Sequence, residues 1–126
     1  MSLRSPLGRV LGLGAAKDGT GHFMAQRVSA IAVALLGCWF AWSMVSIDSL
    51  TYLDVIRFIA QPANGVLLLL LVGAVTYHSY LGVQVVIEDY LHGAGGKLLA
   101  LIASRFVHII VAVASAFAIL RIGFTS

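Results

Sequence analysis

The chain has 126 residues, 60% of them hydrophobic and only 10% charged, with a mean hydropathy of +1.00. Soluble domains carry roughly 25% charged residues, so this chain lacks the polar material to coat a globule, which excludes a water-soluble enzyme along with disordered and collagen-like chains. Its net charge of +3 has no clustered Lys/Arg face and suits basic membrane flanks rather than a nucleic-acid partner.

The N-terminal segment, residues 1–27, holds Arg4, Arg9, Lys17 and Arg27 and no apolar run of the kind a cleavable signal peptide needs. It reads as a retained cytoplasmic segment. Its Gly-rich stretch from Gly8 to Gly21 matches neither G-x-G-x-x-G nor G-x-x-x-x-G-K-[ST], and no predicted strand precedes it. A flexible or interfacial segment is expected there.

Three spans follow within a transmembrane domain of residues 28–121. Val28 to Ile47 is 20 residues without a charge, and Ala63 to Ile87 is 25. Leu98 to Leu120 contains Arg105 and His108. As helices these segments extend about 30, 37 and 35 Å, enough for a hydrocarbon core of roughly 30 Å. The stretch between the first two spans reads as a loop with Arg57 against Asp48 and Asp54, whereas Lys97 and Arg105 follow the second span closely. This bias places the N-terminus and second loop in the cytoplasm, and the first loop and the tail, residues 122–126, outside. The expected fold is all-α: three transmembrane helices, up-down-up.

Helices in lipid associate through small residues. The first span has Ala30, Ala34 and Cys38 at four-residue spacing and also Gly37 and Ala41. The second has Gly73 and Gly82, and the third Ala112 with Ala116 and Ala114 with Ala118. Either these are packing faces, one of which is left for another subunit of a heteromeric bundle, or Ala and Gly are simply common in such helices. Cys38 is the lone cysteine, has no internal disulfide partner and reads as a small packing residue. Trp39 and Trp42 either line the bundle or face lipid.

His78 stands out in the second span, roughly 15 Å below its cytoplasmic end. An ionisable group at that depth is a functional candidate by default, and a neutral imidazole is a good heme-iron ligand. A histidine hydrogen-bonded to a neighbouring helix is the alternative. Gly82 is one turn on, leaving a flat niche beside the imidazole. Asp89 lies eleven residues from His78 and shares its face, with Tyr90 next to it. An acid beside a phenol at the boundary suits a quinone headgroup, and Glu88-Asp89-Tyr90 also fits an interfacial stop signal with an aromatic belt. His108 sits at a depth close to that of His78, so a heme held by both within one chain is conceivable. Arg105 is expected to pair with lipid phosphate or with Glu88 or Asp89, and His92 to be solvated.

The run Tyr77-His78-Ser79-Tyr80-Leu81-Gly82, with Asp89-Tyr90 beyond it, resembles the hydrophobic membrane-anchor subunit of bacterial succinate dehydrogenase, a family with H-x-x-x-G-x-x-x-x-x-x-D-Y along its second span. The segment GAAKDGTGHFMAQRVSAIAV resembles that family's region before and into its first span. The resemblance covers roughly Gly12 to Arg121. It implies that His78 is one axial ligand of heme b, with the second from the complex's other membrane anchor, its cytochrome b subunit. It also implies that Arg27 and His22 lie near the heme propionates, and that Tyr90 hydrogen-bonds ubiquinone with support from Asp89. FAD and iron–sulfur clusters would reside only in partners, the flavoprotein and iron–sulfur subunits. The implied location is the bacterial cytoplasmic membrane, and the implied role is passing electrons from succinate to quinone. Two alternatives are a heme-free anchor of a fumarate reductase-like complex and a structural or transport-accessory membrane protein. A free-standing b-type cytochrome using His78 and His108 is a third.

Overall fold

The computed structural model describes residues 6–126, with side chains from residue 19 onward. Arg4 therefore lies outside the described residues, as do the side chains of Arg9 and Lys17. Four helices occur in order: α1 (Pro6–Ser46), α2 (Tyr52–Ala60), α3 (Pro62–Tyr90) and α4 (Ala94–Thr125). There is no strand among the described residues.

Three helical stretches, Gly19–Ser46, Pro62–Tyr90 and Ala94–Thr125, are long and apolar enough to cross a membrane. They hold 28, 29 and 32 residues, or about 42–48 Å of helix, so their ends reach past a 30 Å hydrocarbon core into the headgroup region. The Gly8–Gly21 stretch, expected to be flexible or interfacial, has a helical backbone as part of α1. Pro6 begins the helix where its missing N–H costs nothing, and no later proline interrupts the helix before Ser46. Hydroxyls within the spans bond back to their own helix: Ser43 Oγ donates to the Trp39 carbonyl at 2.8 Å and Thr76 Oγ1 to the Val72 carbonyl at 2.7 Å. Neither hydroxyl is left facing hydrocarbon without a partner.

Helix α2 corrects the expectation of a plain loop between the first two spans. Thr51 caps it, accepting a hydrogen bond from the Asp54 backbone N–H at 3.3 Å. The Asp54 carboxylate accepts in return from Thr51 Oγ1 at 2.5 Å and from Ser49 Oγ. Gln61, extended at φ −66° and ψ 125°, separates α2 from α3. The residue before a proline avoids the helical region, and Pro62 then fits the first turn of α3. Asn64 Nδ2 donates to the Phe58 carbonyl at 3.0 Å and pins the two helices together.

The long helices lie side by side with α3 in the middle. It packs on α1 along one flank and on α4 along the other, and α1 and α4 make no contact with each other among the described residues. Helix α2 lies across the ends of α3 and α4, and Trp39 of α1 stacks on its Phe58 at 6.0 Å and 24°. Trp39 thus lines the assembly, whereas Trp42 is 74% exposed. Only Leu68, Leu81 and Ser29 are buried among the described residues. Ala112 and Ala116 sit on the half-buried stripe of α4, while Ala34, Cys38, Ala41, Gly73, Ala114 and Ala118 are exposed. A layer with this little interior leaves both broad faces to lipid or to other helices.

Candidate functional site

His22, Gln26 and Ser29 recur at four- and three-residue steps along α1, so they form one stripe, and it faces α3. Ser29 is 6% exposed, the one buried polar residue among those described. Its Oγ lies 3.0 Å from His78 Nδ1 across the helix pair and donates to the Gln26 carbonyl, also at 3.0 Å. His78 Nε2 has no hydrogen-bond partner among the described residues. Beside it, Gly82 faces Gln26: a Cβ added there would meet Gln26 Nε2 at 3.9 Å, an ordinary contact. The niche expected at Gly82 is therefore walled by the Gln26 side chain.

Two buried atoms of this stripe, His22 Nε2 and Gln26 Oε1, have no hydrogen-bond partner among the described residues. Buried polar groups are almost always satisfied, so two orphans on one stripe mark it as a candidate binding place. The heme that the family resemblance implies fits this donor set. His78 offers a free imidazole nitrogen for iron, and His22 with Gln26 offers polar atoms for a carboxylate-bearing edge, the amide being able to present either end. No group of three or more His, Cys, Asp or Glu gathers among the described residues, so the chain supplies no self-contained metal site there.

The remaining candidates lie apart from this pair. Arg27 is exposed on a neighbouring flank of α1, its guanidinium carbon 5.0 Å from the Phe23 ring centroid. Asp89 and Tyr90 form the exposed last turn of α3, and Tyr90 is 77% exposed. Glu88 accepts from Gln84 Nε2 at 3.1 Å. His92 is exposed and lies 3.0 Å from the Tyr90 carbonyl through Nδ1.

His108 belongs to the other flank of α3. Its Nδ1 is 2.7 Å from the Ser104 carbonyl and its Nε2 3.1 Å from Ser79 Oγ. Because His78 faces α1 and His108 is tied to Ser79 on the α4 side, the structure does not bring the two imidazoles together. Arg105 donates from Nε and Nη2 to the Tyr80 hydroxyl at 3.3 and 3.1 Å and, of the partners expected for it within the chain, meets neither Glu88 nor Asp89 among the described residues. Clefts of about 410 and 390 Å³ flank this Tyr80–Arg105 contact between α3 and α4.

Sequence reasoning missed Ser29 and Gln26. The polar stripe of His22, Gln26 and Ser29 was there to be read at helical spacing, but which face of α1 docks on α3 was not.

Comparison with known proteins points the same way. A family profile described as succinate dehydrogenase/fumarate reductase transmembrane subunit matches residues 1–118. The succinate dehydrogenase hydrophobic membrane anchor subunit of Rickettsia bellii (strain RML369-C) is 33% identical over 88 residues, 70% of this chain and 70% of that protein. The protein of the same name from Rickettsia prowazekii (strain Madrid E) is 36% identical over 76 residues, 60% of this chain and 61% of its own. That of Paracoccus denitrificans is 30% identical over 112 residues, covering 89% and 86%.

Proposed function

Since the chain belongs to the family of succinate dehydrogenase/fumarate reductase transmembrane subunits, we propose that it is the membrane-anchor subunit of a bacterial succinate:ubiquinone oxidoreductase, contributing one axial ligand to heme b and part of the quinone site. The observation that carries the heme assignment is His78. It is held through Nδ1 by Ser29, its Nε2 is free, and two orphaned polar atoms share its flank.

In this reading His78 would hold the heme iron through Nε2, and a histidine of the companion cytochrome b anchor would supply the second protein ligand. Heme b supplies a one-electron store between the iron–sulfur subunit and the quinone. His22 Nε2–H and, with its amide turned, the Gln26 NH2 group donate to the propionate edge, and Arg27 adds a positive charge at the same end of the first span. At the exposed end of α3 the Tyr90 phenol donates a hydrogen bond to a quinone carbonyl oxygen. Reduction to quinol takes up two electrons and two protons, and the Asp89 carboxylate relays protons from the aqueous side. The flavoprotein and iron–sulfur subunits, carrying FAD and the clusters, dock on the cytoplasmic face. The Lys/Arg bias of the N-terminal segment and second loop supports an N-terminus in the cytoplasm and a tail in the periplasm.

The test is a dithionite-reduced minus oxidised spectrum of the complex purified mildly from its native membrane, with co-purifying subunits identified. A b-type band beside flavin and iron–sulfur partners is expected, and His78→Ala is expected to abolish or strongly reduce it while the chain stays in the membrane. Partners without heme would make this a fumarate reductase-like anchor. Neither heme nor partners would sink the reading.

A further inference from the structure

We propose that Ser29 is the positioning residue of His78, fixing which imidazole nitrogen carries the proton and so which one is offered to iron. The inference rests on the heme reading above and goes one contact beyond it. Ser29 Oγ has a single proton and two neighbours at 3.0 Å, the Gln26 carbonyl and His78 Nδ1. A carbonyl oxygen only accepts. If the hydroxyl donates to it, Oγ is free to accept from an Nδ1–H, and both contacts become hydrogen bonds. If the hydroxyl turns to His78 instead, the contact to the carbonyl is lost. The arrangement with two bonds wins, and it leaves the lone pair on Nε2, where a metal can use it. Burial of Ser29 to 6% exposure keeps water and lipid from offering a substitute.

The second intramembrane histidine shows what this arrangement selects. His108 also points Nδ1 at an acceptor, the Ser104 carbonyl at 2.7 Å, but its Nε2 is taken by the Ser79 hydroxyl at 3.1 Å. Both rings carry their proton on Nδ1, and only His78 has an unengaged Nε2. A hydrogen bond from Nδ1–H also pushes electron density onto Nε2, which favours the oxidised iron.

The experiment is made on the intact complex with Ser29→Ala, Ser29→Thr and Ser29→Cys, reading heme content per flavin, the low-spin EPR g values and the heme reduction potential. Ser29→Ala is expected to raise the potential and move the largest g value, and Ser29→Thr, which keeps the hydroxyl, to restore both. Ser29→Cys, close to serine in size but a weaker acceptor, covers failure of the alanine variant to assemble and is expected to shift the same quantities by less. An EPR signal and potential identical to the unaltered complex in either hydroxyl-free variant overturns the proposal. Retention of heme by His78→Ala would instead overturn the ligand assignment itself, so the two failures are distinguishable.

Discussion

Tyr90 and Asp54 mark opposite ends of the layer, and each offers a test at the level of a single side chain. Tyr90 lies exposed in the last turn of α3, and the quinone role proposed for it can be tested with one atom removed. Tyr90→Phe removes only the phenolic hydrogen bond; it is expected to leave the heme spectrum intact and to lower quinone reduction by roughly tenfold, the worth of one hydrogen bond of about 1.4 kcal/mol. Normal turnover in a steady-state quinone-reduction assay would rule Tyr90 out. At the other end the Ser49 hydroxyl, then that of Thr51, and more weakly the Arg57 guanidinium at 3.6 Å hold the Asp54 carboxyl below its usual value of 3.8. A carboxyl whose folded value is depressed contributes stability above its unfolded value and loses it as pH falls through the folded one. Amide protection in α2 is therefore expected to exceed that of Asp54→Asn at neutral pH. The difference should fade only below about pH 4, and a gap that persists in strong acid would disprove the assignment.

Among the elements, the long spans were plain in the sequence, because an apolar run of 20 or more residues has few alternatives to a crossing helix. Helix α2 was not. Its Arg57 and Asp54, with Asp48 just ahead of it, look like loop charges, although Thr51 three residues before Asp54 is a helix-start pattern and Pro62 a natural beginning for the next helix. Helix α1 was underread at its start for the opposite reason: glycines argue for a loop, yet the backbone continues through them. His78 was legible because an ionisable side chain within an apolar run is conspicuous whatever surrounds it. Ser29 was not, since its meaning lies in the ring opposite, 49 positions along the chain. The same limit explains Arg105, whose partner proved to be a phenol on the adjacent helix rather than a carboxylate at the loop.

The whole molecule is a row of three helices with a small helix across one end, and it has too little interior to be a finished bundle. Leu68 and Leu81 are its only buried apolar residues among those described, while Leu35, Trp42 and Phe117 are 68%, 74% and 66% exposed. Lipid can cover such side chains, but it does not satisfy His22 Nε2 or Gln26 Oε1. The chain made without its partner subunits is accordingly expected to insert and then be degraded several-fold faster than in the complex, as a pulse-chase measurement would read. Equal lifetimes with and without partners would argue that the orphaned atoms find their partners within this chain.

The row of helices has a further consequence for how the protein is made. Among the described residues helix α1 meets α3 and not α4, so each spanning segment there rests on the span beside it in the chain. A nascent helix leaving the insertion machinery therefore finds its docking surface already in the membrane and need not wait for one still to be synthesised. Short-range order of this kind lets insertion and packing advance together, one helix at a time. The Ser29–His78 contact would be in place as soon as the second span is threaded, before α4 exists. On the heme reading proposed above, the far side of that imidazole is the part left for a later step, when heme and the companion anchor join the threaded spans.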